Sequence, residues 1–151
     1  MIKRWYETRI LPGLLNSLMK SPDMTEIRRR WVPEASGESI PADNNQFDSA
    51  VITWTMCTIP NPHSALMEIK RVLKPGGRVY FAEHGLSPDA GVAKWQHRIN
   101  GIWKPLAGGC NLNRRPDQML AEAGFTIDHM ETGHIQGPKF ATYTYQGFAT
   151  V

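Results

Sequence analysis

Apolar residues recur at helical spacing through the first 33 residues of the chain. The pattern is formed by Ile2, Trp5, Tyr6, Ile10, Leu14, Leu15, Leu18 and Met19, a spacing typical of amphipathic helices. Pro12 is suited to begin a second helix, and a further short helix is predicted over 24–31, ending before Pro33. We therefore predict a helical region over 1–33, followed by a polar loop over 34–46.

A second body is predicted over 34–151, and it opens with a strand–helix–strand unit. A β-prone apolar run over 48–54 predicts a strand buried on both faces. Asn61 and Pro62 then mark the start of a helix that ends at a Lys-Pro-Gly-Gly sequence. A second apolar strand follows over 78–82, so the two strands should pair in parallel through a right-handed crossover.

The remaining residues predict two helices and two strands. The helices cover about 91–104 and 115–123, separated by a glycine-rich loop, and the strands cover 125–130 and 142–149. We expect an α/β fold with a mainly parallel sheet of about four strands, one antiparallel terminal strand and flanking helices.

Composition excludes several classes of protein. The 151 residues are 41% hydrophobic and carry a formal charge of +3, which indicates a globular domain rather than a disordered chain. No apolar run is long enough to cross a bilayer, and no secretory signal is evident, so we expect a cytoplasmic protein. Basic residues cluster only at 28–30, which gives little support to nucleic-acid binding.

The order of motifs over 34–151 resembles the carboxy-terminal half of class I S-adenosylmethionine-dependent methyltransferases. It includes Phe-Asp at 47–48, Leu-Lys-Pro-Gly-Gly at 73–77 and Ala-Gly-Phe at 123–125, each before or at a predicted strand. Trp-Thr-Met-Cys at 54–57, Glu-His-Gly at 83–85 and Gly-Cys-Asn-Leu-Asn-Arg at 109–114 are similar to the branch of phospholipid, quinone-type and thiol methyltransferases. The resemblance implies S-adenosylmethionine as cofactor and a small molecule or lipid as methyl acceptor.

One part of the family pattern is missing from this sequence. After the Val-Pro pair at 32–33 the family has its first strand, a glycine-rich loop for the methionine end of the cofactor, and an acidic residue for the ribose. Residues 34–46 contain none of these, and roughly 60 residues of a doubly wound sheet have no counterpart here. The predicted fold is therefore a truncated Rossmann-like domain, and we expect an isolated monomer to bind the cofactor at millimolar affinity or weaker.

Candidate site residues follow the ends of the first two strands, because ligands of open α/β sheets bind beyond the carboxyl ends of the strands. The candidate cofactor contacts are Thr53, Trp54 and Thr55, and the resemblance adds Ser36, Gly37 and Glu38 at the adenine edge. The candidate catalytic residues are Glu83, His84, Asn111 and Arg114. His84 can accept a proton near neutral pH or serve as a structural histidine, and Asn111 and Arg114 can meet a polar substrate or tether their loop.

The cysteines and tryptophans are assigned packing roles. Cys57 and Cys110 can meet in space, but two cysteines are too few for a zinc cage or a disulfide framework, so no metal is predicted. The tryptophans of the helices are expected in the core, although an apolar substrate site can be lined by Trp95, Ile99, Ile102 and Trp103.

Two functions stay open at this point. The first is methyl transfer to a small molecule or lipid, and the second is a catalytically silent relative that acts as a dimeric binding module. Either way we expect a homodimer, because the strand over 47–54 loses a neighbour that the family has. Its sequence has no Lys or Pro to protect an open edge.

Overall fold

A computed structural model describes residues 36–151, so the predicted helices over 1–33 lie outside the described residues. The described part has four strands and four helices. In chain order they are β1 (Phe47–Thr53), α1 (Pro62–Val72), β2 (Leu73–His84), α2 (Ala90–Leu106), α3 (Pro116–Glu122), β3 (Thr126–His134), α4 (Lys139–Thr142) and β4 (Tyr143–Thr150).

The strands form one mixed sheet in the order β1-β2-β4-β3. β1 and β2 are parallel, with Val51 opposite Tyr80, whereas β4 runs antiparallel to both β2 and β3. This confirms the predicted α/β fold, the parallel pairing of the first two strands and the single antiparallel strand. Within residues 36–151, β1 is an edge strand because β2 is its one neighbour.

One face of the sheet carries the hydrophobic core. Ile52, Val79, Phe81 and Ala149 are buried there against Leu66 of α1 and Leu120 of α3. The opposite face is more open, since Val51 is 73% exposed and Tyr80 is 41% exposed. The prediction that the first strand is buried on both faces is therefore wrong, because its alternate residues lie on a face that stays open.

Helix ends follow the sequence signals. The Asn61 side chain accepts a hydrogen bond from the Ser64 amide at the start of α1, and Asp89 caps α2 through the amides of Gly91 and Val92. The strand after α1 begins earlier than predicted, at Leu73, and Gly76 adopts a positive φ of 76° within an irregular register. Glycine makes that conformation accessible at little cost.

The chain end differs from prediction in two details. β3 extends to His134 rather than to 130, and the short helix α4 occupies part of the predicted loop before β4. The single helical turn of α4 begins directly after Pro138, which is its N-cap residue.

Candidate functional site at the carboxyl ends of β1 and β2

The turn after β1 is held by a buried glutamate. Trp54 has a positive φ of 51°, an uncommon conformation for a bulky residue. Its amide donates to the Ala82 carbonyl, and the next amide, of Thr55, donates to Oε1 of Glu83 over 2.7 Å. Glu83 is fully buried, and its Oε2 has no hydrogen-bond partner among the described residues. The Glu83 side chain therefore holds the turn by accepting a hydrogen bond from the backbone of the turn.

His84 lies on the other face of β2 and contacts residues from two other segments, the turn after β1 and the loop after α2. Its ring lies 5.4 Å from the Trp54 ring between centroids, and Nε2 lies 3.0 Å from the Cys110 sulfur. Cys57 joins this group, because its Sγ, the Cys110 Sγ and a ring nitrogen of His84 lie within 4.8 Å of one another. The two cysteines thus meet in space, beside the histidine.

Asn111 and Arg114 contact the backbone of the turn after β1. The Asn111 amide group donates to the carbonyls of Cys57 and Gly109. The Arg114 guanidinium donates to the carbonyls of Met56 and Ile59. These contacts favour the tethering role for both side chains, and direct contact with a substrate remains a prediction.

Gln96 makes three buried hydrogen bonds to the backbone that were not predicted from the sequence. This fully buried residue of α2 accepts a hydrogen bond from the Ser87 amide and donates to the carbonyls of Gly85 and Phe140. It therefore joins the segment after β2 to the segment before β4. A polar residue at the helical spacing of Val92, Ile99 and Trp103 is the signal that could have revealed it.

One cavity lies at the ends of β1 and β2, and a larger one lies beside α2. The smaller, of about 260 Å³, is lined by Trp54, Cys57, His84, Trp103 and Cys110, with Thr58, Ala107, Leu112 and Ala141. The larger, of about 610 Å³, is lined by Asp89, Gly91, Val92, Trp95, Ile99, Lys139 and Phe140.

The four residues of α2 that were predicted to line one apolar substrate site do not share a single cavity. Trp95 and Ile99 line the larger cavity, Trp103 lines the smaller one, and Ile102 is 71% exposed. Trp95 is 61% exposed, so its predicted place in the core is wrong. The core-directed face of α2 is instead set by the hydrogen bonds of Gln96.

The predicted adenine-edge residues form a small turn. Ser36 bridges to Ser39, and the Glu38 carboxylate accepts the Asn61 amide. A Cβ at Gly37 would meet Ile59 at 3.4 Å, so the turn packs on the loop that follows β1. Among the other predicted cofactor contacts, which follow β1, the Thr55 hydroxyl donates a hydrogen bond to the Thr53 carbonyl.

These residues do not fit a complete S-adenosylmethionine. The turn and the Trp54 ring lie near the end of β1, but residues 36–46 form only a bridge and turns. The described residues therefore offer no glycine-rich strand-to-helix turn for the methionine end in that segment.

Burial dominates the electrostatics of the site. It raises the pKa of the Cys57 thiol to about 11, raises the pKa of Glu83 and lowers the pKa of His84. The pKa of Arg114 is also lowered by burial. Loss of water disfavours the charged form of each group, so Cys57 is a neutral thiol at pH 7.

Known proteins with similar sequences indicate the family to which this chain belongs. Residues 18–81 match the family model described as a methyltransferase domain. The human thiol S-methyltransferase TMT1A is 34% identical over 107 residues, which cover 69% of this chain and 43% of that protein. The ubiquinone/menaquinone biosynthesis C-methyltransferase UbiE of Azotobacter vinelandii is 30% identical over 122 residues, covering 68% of this chain and 48% of that protein. The chain thus spans less than half the length of these two relatives.

Solved structures show the same fold. A SAM-dependent methyltransferase from Thermotoga maritima aligns with a TM-score of 0.59 at 18% identity, covering 86% of this chain and 70% of that one. The geranyl diphosphate C-methyltransferase of Streptomyces coelicolor aligns with a TM-score of 0.57 at 17% identity, covering 77% of this chain and 50% of that one. The sheet order, the sequence matches and the motifs at the strand ends agree, and the chain belongs to the class I S-adenosylmethionine-dependent methyltransferase family.

Proposed function

We propose that the described part of this protein binds the methyl acceptor of a methyltransferase reaction, and that the acceptor is a small apolar thiol. The observation that carries the proposal is the smaller cavity, which lies at the carboxyl ends of the parallel strands β1 and β2. Ligands of open α/β sheets bind at this position. The similarity to thiol S-methyltransferases supports the thiol among the small-molecule and lipid acceptors.

The side chains around the cavity suit such an acceptor. The Trp54 and Trp103 rings provide apolar walls, while the sulfurs of Cys57 and Cys110 provide polarisable contacts. A volume of about 260 Å³ is close to the lower end of the range for small-molecule sites. The cavity therefore favours a compact thiol over a long lipid chain.

Binding of a small aromatic thiol, followed by calorimetry, tests the acceptor site. Trp54→Ala should weaken binding about 10-fold or more, because it removes an aromatic wall of the cavity. Trp95→Ala is the matched control, since Trp95 lines only the larger cavity of the two. Weakening by Trp95→Ala alone would instead place the acceptor in the larger cavity.

Cofactor binding separates an active enzyme from a silent binding module. We expect S-adenosylmethionine to bind the monomer at millimolar affinity or weaker, because residues 34–46 contain no glycine-rich turn. Calorimetric titration measures this affinity, and thiol methylation is assayed at saturating cofactor. Methylation would establish the enzyme, whereas thiol binding without methylation would favour the silent module. A micromolar dissociation constant for a proven monomer would contradict the expected weak binding.

We also propose a homodimer through the β1 side of the sheet. β1 has an open edge within the described residues, and the adjacent open face carries Val51 and Tyr80. Flat apolar edges invite pairing with another chain. A two-fold partner can satisfy this edge by strand pairing.

Light scattering at micromolar concentration should give a particle of about 34 kDa, twice the 17.0 kDa of one chain. Val51→Lys should shift it to the monomer, because a lysine on an edge strand opposes pairing. Ile135→Lys is the control, since Ile135 is 49% exposed and follows β3, at the opposite edge of the sheet from β1. A wild-type monomer would reject the dimer.

A further inference from the structure

The described residues bring two thiols and an imidazole together in a buried position. Cys57 and His84 are each about 4% exposed, and Cys110 is half-buried. One ligand atom from each lies within 4.8 Å of the others. The three residues come from the turn after β1, the end of β2 and the loop after α2, so the fold rather than local sequence assembles them.

The polar atoms of this group have few other partners. His84 Nε2 meets only the Cys110 sulfur, and its Nδ1 is buried without a hydrogen-bond partner among the described residues. The Cys57 sulfur lies 3.2 Å from the Thr58 hydroxyl and 3.8 Å from the Trp54 carbonyl. Sulfur forms only weak hydrogen bonds, so a buried imidazole paired in this way is poorly satisfied.

The spacing suits a zinc ion. Zinc binds thiolate at about 2.3 Å and imidazole nitrogen at about 2.0–2.1 Å in tetrahedral geometry. Those lengths put the ligand atoms of a tetrahedral site roughly 3.5–3.8 Å apart. The three ligand atoms already lie within 4.8 Å of one another, with one pair at 3.0 Å. The present separations therefore bracket those of a zinc site.

The charges around the cluster are balanced for a bound divalent cation. Zinc binding displaces the protons of the two thiols, and the resulting thiolates neutralise the charge of the ion. A net charge of zero for the ion and its ligands favours metal binding in a buried site, where an uncompensated charge is costly.

We propose that Cys57, His84 and Cys110 bind one zinc ion, with a fourth coordination position open to the smaller cavity. All three residues line that cavity, so water or another small donor can complete the tetrahedron. This assignment replaces the packing role that the sequence analysis gave to the cysteines. As a ligand, His84 would not also accept a proton from a substrate. The assignment does not depend on methyl transfer.

Metal binding can be measured directly on the full chain. After reduction, removal of metal and addition of Zn²⁺, elemental analysis should find one zinc ion per chain. Substitution by Co²⁺ should give the d–d absorption of a tetrahedral site and sulfur-to-cobalt charge-transfer bands. Zinc should also protect both cysteines from alkylation.

Variants identify the ligands. Cys110→Ala and His84→Asn should each lower zinc affinity roughly 100-fold or more, since loss of an outer-shell partner alone costs 10- to 100-fold. His129→Asn is the matched control, because His129 is an exposed residue of β3 outside the cluster. If a variant fails to fold, the wild-type cobalt spectrum still decides the question.

Three results would overturn the proposal. They are a reduced wild-type protein that takes up no stoichiometric zinc, a cobalt spectrum without thiolate charge transfer, and zinc affinity that is unchanged in folded Cys110→Ala. A failure of thiol methylation would leave the metal measurements unaffected, so the two proposals fail separately.

Discussion

Replacement of Gln96 by leucine is expected to lower the free energy of unfolding by roughly 3–5 kcal/mol. The side chain satisfies one amide and two carbonyls in buried surroundings, namely those of Ser87, Gly85 and Phe140. Leucine fills a similar volume but leaves these three groups without partners. Each unsatisfied buried group costs about 1–3 kcal/mol, and partial relaxation reduces the total. Urea denaturation measures the change.

Gln118→Leu provides the matched control for this prediction. Gln118 lies on α3 and is exposed, so the same substitution should change stability by less than about 0.5 kcal/mol. Gln96→Glu is a second comparison, because a carboxylate keeps the acceptor for the Ser87 amide but faces two carbonyl oxygens. Equal stability of Gln96→Leu and the wild type would show that water replaces the lost partners.

The sequence predicted the sheet because its signals are local. The apolar run of β1, the Asn-Pro start of α1 and the terminal strands each depend on neighbouring residues, and the structure confirms all of them. The extent to which each face of β1 is buried could not be predicted in this way. Exposure of Val51 depends on which elements cover the sheet, and that information is not contained in the strand itself.

The site was predicted only in part for a related reason. The rule for strand ends located Glu83, His84 and Trp54 at one place, because the parallel strands end together. Strand alternation puts Glu83 and His84 on opposite faces of the sheet, but it could not show that both side chains are buried. The approach of Cys110 to His84 depends on how the loop after α2 folds back, through the Asn111 amide at the Cys57 carbonyl.

Glu83 holds a strained turn at the edge of the smaller cavity. Non-glycine residues with positive φ, such as Trp54, cost about 1–3 kcal/mol and persist only when the surroundings hold them. The fully buried Glu83 carboxyl accepts the Thr55 amide over 2.7 Å. The amides of Met56 and Cys57 also act on this carboxyl and lower its pKa, against the larger effect of burial. The hydrogen bond from the Thr55 amide is therefore the contact through which Glu83 holds the turn.

Glu83→Gln should lower the free energy of unfolding by about 1–3 kcal/mol, because a neutral amide oxygen is a weaker acceptor for the Thr55 amide and the new NH₂ group lies toward the amides of Met56 and Cys57. Hydrogen exchange at Thr55, Met56 and Cys57 should accelerate roughly 10-fold or more, since each 1.4 kcal/mol changes an opening equilibrium tenfold. Glu122→Gln, at an exposed position at the end of α3, should change neither quantity. If Glu83→Gln left exchange at these three amides as slow as in the wild type, the turn would be held by Asn111 and Arg114 alone.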